Sequence, residues 1–121
     1  MNSISYAWTT EAVKAQAKTC TRRNWTQEYA LRFHEGKKVL ALNRNYRYGG
    51  TPFGMVQLTT DPYRQRTGDM TEQDYADEGL LWMESQGLLI RKITPRQFFD
   101  NWKEENLMLY VVRFKILEIF E

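Results

Sequence analysis

A chain of 121 residues, 26% of them charged and with a net charge of +2, fits one domain over 1–121, large enough to bury a core without staples. No apolar run approaches the roughly 18 residues that cross a bilayer, so no membrane partner is expected. The lone Cys20 excludes an internal disulfide framework and fits a cytoplasmic location.

The opening MNSISYAWTTEAVKAQ has no basic start followed by an apolar stretch, so no signal peptide is read. Cys20 and His34 are the only soft metal ligands, which argues against structural zinc. No cofactor is implied. Charge is uneven: residues 1–50 hold nine basic and three acidic residues, and residues 51–121 hold eight and twelve. A basic face that attracts phosphate is one reading. A solvated mixed-charge surface is the other.

In chain order, Ile4–Trp8 opens a strand. Thr9 or Thr10 caps a helix over Glu11–Ala17. Lys18–Trp25 breaks the periodicity and carries the most polar cluster. Thr26 caps a helix over Gln27–His34, with Tyr29, Ala30 and Phe33 at helical spacing and Gly36 as a stop. Lys38–Arg44 alternates as a strand. Tyr46–Pro52 is a loop rich in turn residues, and Gly54–Thr60 is a second strand. Pro62 ends it or puts the next segment on an edge.

Thr71 and Asp74 have capping-box spacing, which predicts a helix to about Ser85 with Ala76, Leu80 and Met83 inward and Gly87 as its stop. Thr94, Pro95 and Gln97 make a second start signal, ahead of an apolar stripe of Phe98, Phe99 and Trp102. Leu107–Leu117, β-branched and aromatic, is the central strand, with Arg113 and Lys115 facing outward. Regular βαβ alternation is absent. The expected architecture is α+β: a small, partly closed antiparallel β-barrel flanked by short helices, its first and last strands pairing to close it.

Lys18-Thr19-Cys20-Thr21-Arg22-Arg23 resembles the K-T-x-T-x-R signature of ASCH domains, in the PUA-like superfamily. Glu35–Val39 is similar to that family's glycine turn into a barrel strand. Asp77-Glu78-Gly79 is similar to its acidic segment before a later helix, and Phe98–Trp102 with Leu107–Leu117 to its closing helix and strand. The chain departs from the family at Gln16, at Lys37 and in the inserted aromatic segment Trp25–His34.

The resemblance implies a cleft lined by the Lys/Thr/Arg motif and an acidic partner, with RNA or a modified nucleoside as the partner. It also implies a second possibility, an amidohydrolase acting on N4-acetylcytidine-type bases, with the Lys, Thr and Glu roles falling on Lys18, Thr21 and Glu78.

The residues themselves are compatible with both. A threonine hydroxyl needs a base to take its proton. A lysine serves as that base only when neutral, a form that neighbouring cations such as Arg22 and Arg23 favour and a close Glu78 opposes. Arg23 or backbone N–H groups would supply an oxyanion site. Binding asks less: Arg22, Arg23, Trp25, Arg44, Tyr46, Arg47 and Tyr48 mix phosphate-neutralising cations with rings that stack on bases.

Each feature also has a purely structural reading. Lys18, Thr21 and Arg23 then form a polar network, and Trp25, Tyr29 and Phe33 a packing face. An adaptor docking a protein through the aromatic helix is a further reading. A nuclease is disfavoured, because no carboxylate cluster for a metal is evident.

Overall fold

The structure is a computed structural model that describes residues 1–120. Six strands form one curled sheet, a half-barrel with short helices against it. The strands are β1 (Ser3–Ser5), β2 (Cys20–Arg23), β3 (Lys38–Leu42), β4 (Pro52–Leu58), β5 (Tyr63–Arg66) and β6 (Met108–Ile119). The helices are α1 (Thr10–Lys14), α2 (Gln27–Ala30), α3 (Glu72–Asp77), α4 (Leu80–Ser85) and α5 (Pro95–Glu105).

The long strand β6 organises the sheet. Its C-terminal half pairs antiparallel with β4, Leu58 opposite Phe114. Its N-terminal half is flanked by β2, with Thr21 opposite Val112, and by β5, with Tyr63 opposite Val111. β4 passes the ladder to β3, and β3 pairs in parallel with β1. Register shifts at Ala41/Leu42 and Met55/Val56 mark bulges, which sharpen local bend and twist.

The first and last strands therefore do not meet. β1 is three residues long and ends beside β3, and β2 takes the edge of β6 instead. The β1–β3 pair is also an exception to an all-antiparallel barrel. The expected strand Ile4–Trp8 stops at Ser5, because Ala7 adopts φ 45° and starts a 3-10 turn over Ala7–Thr9.

Helix starts follow the caps. Thr26 accepts from the Tyr29 N–H, Thr71 and Asp74 close a reciprocal capping box, and Thr94 accepts from the Gln97 N–H behind Pro95. The stops differ. The first helix ends at Lys14, and Gln16 at φ 60° reverses the chain. The second ends at Ala30 rather than His34. The helix expected to reach Ser85 unbroken is split at Glu78–Gly79, where Gly79 has φ 86°.

Two apolar clusters result. Ile4, Tyr6, Phe33, Val56, Val112 and Phe114 fill the concave side of the sheet. Met70, Tyr75, Leu80, Met83, Ile90 and Phe99 pack under α3–α5. Helix α1 is wedged between the clusters, with Ala12 in one and its neighbour Val13 in the other. A buried polar network lies in the seam between them.

Candidate functional site

The segment leaving α1 is tied to both layers. The Ala17 N–H donates to the Ala12 carbonyl at 2.9 Å, and the Thr19 N–H to the Asp77 carbonyl at 2.8 Å. The Phe114 N–H donates to the Thr19 carbonyl at 3.0 Å. Lys18 is thereby driven inward against Gly79. A Cβ there would lie 2.8 Å from the Ala12 Cβ and 3.1 Å from the Lys18 Cβ, so the missing side chain makes room for the lysine stem.

Lys18 is 1% exposed and Glu78 3%. Lys18 Nζ donates to Glu78 Oε1 at 3.0 Å and to the Glu78 carbonyl at 2.9 Å. The second carboxylate oxygen accepts from Arg22 Nη1 at 2.7 Å. Arg22 Nη2 reaches Gln65 Oε1 at 2.7 Å and Asp74 Oδ1 at 3.2 Å. Arg113 continues the network to Asp74 at 3.2 Å, Asp77 at 3.1 Å and the Tyr63 hydroxyl at 2.9 Å. Arg113, expected to face outward, thus ties β6 to α3.

Burial works most strongly against the charge on Arg22, but Glu78, Cys20 and Asp74 together raise the guanidinium above its ordinary value. Burial also opposes Asp74 ionisation, yet the Thr71 N–H and Arg22 hold its carboxyl below the usual range. Cys20, buried beside Glu78 Oε2 at 3.6 Å, is pushed up to about 12, first by burial and then by that carboxylate. It is not a poised thiolate.

Arg23 stands apart. Its Nη2 donates to the Ser5 carbonyl, its guanidinium lies 5.8 Å from the centre of the Tyr6 ring, and its Nε is buried without a hydrogen-bond partner among the described residues. Burial lowers it below the usual arginine value.

These groups converge on one cavity of about 270 Å³. Lys18, Thr21, Arg22, Arg23 and Glu78 line its polar side, joined by Asn45. Trp8, Phe98 and Trp102 supply an aromatic side. Trp8 packs edge-on to Phe98 at 4.9 Å, and Phe98 lies 5.4 Å from Trp102. Thr21 has no side-chain hydrogen bond to another described residue, which leaves its hydroxyl free for the cavity.

In comparisons with solved structures, the fold is similar to protein EF3133 of Enterococcus faecalis V583, described under the family model DUF984. The TM-score is 0.59 at 13% identity, over 93% of this chain and 69% of that one. Identity that low speaks for the fold alone. No family model matches the chain, and neither does any curated protein.

The remaining sequence candidates lie elsewhere. Trp25 stacks on Phe33 at 4.4 Å and meets Tyr29 at 5.1 Å, packed against the sheet core. Tyr46, Arg47 and Tyr48 form an exposed 3-10 turn. Arg44 lines a neighbouring groove with Lys14; Ala7 and Trp8 line both that groove and the cavity.

Trp8, Asn45, Phe98 and Trp102 were absent from the sequence candidates. Phe98 and Trp102 are four apart on α5 and so share a face. That spacing reads as core, and only Phe99 is fully buried. The positive φ of Ala7, which sends the chain out of β1 toward the cavity, leaves no mark in the sequence. Among the described residues, no group of three or more potential metal-ligating side chains is found, and no helix is long and apolar enough to cross a membrane.

Proposed function

We propose that this protein is a PUA-like, ASCH-type module that binds a single base, as a modified nucleoside or within RNA, in the cavity at Lys18–Arg23. The observation that carries this reading is the meeting of three aromatic rings with Lys18, Thr21, Arg23, Asn45 and Glu78 in one small cavity. Its volume lies near the lower end of small-molecule sites. That suits one planar heterocycle rather than a folded polymer. Rings recognise the faces of a base, and fixed donors and acceptors recognise its edge. The K-T-x-T-x-R resemblance points the same way, and the fold likeness is compatible with it.

The test is calorimetric titration of the purified protein with nucleosides and short single-stranded RNA, with tryptophan fluorescence as a second signal because Trp8 and Trp102 line the cavity. Saturable binding that is lost in Trp8→Ala supports the reading. Absence of binding at millimolar ligand rejects it.

A second reading, an amidohydrolase on an N4-acylated cytosine, is favoured by the presence of Lys18, Thr21 and Glu78 in one cavity. In that chemistry Lys18 first gives a proton to Glu78, and the resulting neutral amine takes the hydroxyl proton as Thr21 Oγ attacks the acyl carbon. The C–N bond breaks as the amine takes up a proton, and water then releases the acid from the threonine ester. The 3.0 Å Lys18–Glu78 contact offers the lysine a proton partner. Chromatography after incubation with N4-acetylcytidine decides: turnover abolished in Thr21→Ala supports this reading, and no product at high protein concentration removes it.

A further inference from the structure

In the polar network beside the cavity, Lys18 is matched by Glu78, Arg22 by Glu78 and Asp74, and Arg113 by Asp74 and Asp77. Arg23 has no carboxylate within 4.0 Å among the described residues. One of its nitrogens, Nη2, is spent on the Ser5 carbonyl, and Nε is buried without a partner. Nη1 is neither hydrogen-bonded nor among the buried orphan atoms, so it is the nitrogen left for the cavity that Arg23 lines. Beside it, the Tyr6 hydroxyl is also buried without a partner, and Tyr6 too lines the cavity.

A guanidinium carries five donors and no acceptor. Native structures seldom leave buried polar atoms unpaired, and such exceptions call for an explanation. A ligand that presents an oxygen to Arg23 Nη1 gains a charge-assisted hydrogen bond, stronger than one between neutral groups. An amino group gains nothing there, because a guanidinium cannot accept, and a ring nitrogen offers it one lone pair where an oxo oxygen offers two.

We infer that Arg23 is the specificity-determining residue of this cavity and selects heterocycles carrying a ring carbonyl over those carrying only ring nitrogens and amino groups. The inference rests on the base-binding reading. The ligand class is the oxo-substituted base, as in uridine, cytidine and inosine. Adenosine, with no ring carbonyl, is disfavoured. Lys18 and Arg22 are unsuited to this role, since the Glu78 carboxylate already occupies both.

The experiment is calorimetry on the purified protein with inosine and adenosine, which differ by an oxo-for-amino exchange, and with uridine. Inosine and uridine are expected to bind at least about tenfold tighter than adenosine, from one hydrogen bond to a charged group. Arg23→Met should weaken inosine and uridine more than adenosine and so close the gap between them, and Arg23→Lys should restore part of the difference. Adenosine binding as tightly as inosine to the unaltered protein overturns the inference and spares the base-binding reading, even if Arg23→Met fails to fold. So does Arg23→Met weakening all three equally. Failure of every nucleoside to bind overturns both.

Discussion

Lys18 and Glu78 are joined twice: one ammonium donates to the Glu78 carboxylate at 3.0 Å and to the Glu78 backbone carbonyl at 2.9 Å. The side chain and main chain of Glu78 are thereby held by one partner. Arg22 takes the other carboxylate oxygen at 2.7 Å, so one buried anion serves two buried cations.

That arrangement predicts unequal costs of truncation. Lys18→Met leaves Glu78 paired with Arg22. Glu78→Gln leaves Lys18 without a charged partner and Arg22 with Asp74 alone. Breaking a buried pair from one side costs about 3–5 kcal/mol. Glu78→Gln should therefore fall at or above the top of that range and Lys18→Met toward its bottom, as read by urea unfolding. Equal losses would mean that Arg22 does not share the anion.

Gly79 predicts a second asymmetry. Its φ of 86° strains any L side chain, and a Cβ would also sit 2.8 Å from the Ala12 Cβ. Gly36 has the same φ with nothing within 4 Å, so Gly36→Ala carries the conformational cost alone, about 1–2 kcal/mol. Gly79→Ala should lower Tm distinctly further and, because Lys18 must shift, weaken ligand binding as well. Matching Tm values for the two variants would show that the Gly79 approach is not tight.

How far the fold was legible in the sequence depends on how local each signal is. The caps at Thr26, Thr71 and Thr94 depend on residues within three positions, and all three start helices as expected. The central strand near Leu107–Leu117 was legible through its β-branched run, and so was the α+β class. Cys20–Arg23 and Tyr63–Arg66 were not. Neither carries a hydrophobic alternation, and each is a strand because β6 offers it an edge. The parallel β1–β3 pair was missed because no local signal fixes which strand a short edge segment pairs with.

At the site, it was the motif resemblance that implied one cleft for Lys18, Thr21 and Glu78; the residue spacing by itself did not. The aromatic side was hidden because Phe98 and Trp102 have the spacing of a packing face. Arg22, expected at the ligand, lines the cavity but is also held by Glu78, Asp74 and Gln65, partners 43 to 56 residues away that local sequence signals do not show.

Alkaline lability is the third expectation. The Cys20 thiol is pushed from 9.0 up to about 12 by burial and by Glu78, and burial raises Tyr6 and Tyr75 as well. A group with a folded value above its unfolded one adds stability that is complete below the unfolded value and is lost as pH rises through the folded one. Unfolding free energy should therefore be steady near pH 8 and fall between about pH 9 and 12, and Cys20→Ala should flatten part of that fall. A thiol reagent at pH 8 should leave Cys20 untouched until denaturant is added. Prompt labelling of the native protein would contradict its burial.

The last prediction separates the cavity from its rim. Arg44 and Arg47 are exposed beside Asn45, which lines the cavity, and neither forms a salt bridge with a described residue. Arg22 is buried in the Glu78 network, so a charge reversal there would test folding rather than binding. If a single RNA strand delivers the base, its phosphates pass the rim at Arg44 and Arg47. The double variant Arg44→Glu/Arg47→Glu should then weaken binding of a short oligonucleotide. It should also flatten the dependence of log K on log salt by about 0.7 for each phosphate no longer neutralised, while Tm and the affinity for a free nucleoside stay unchanged. Fluorescence anisotropy across a salt series measures this. A slope that does not move places the strand away from this rim, and a matching loss for the free nucleoside shows that the rim supports the cavity itself.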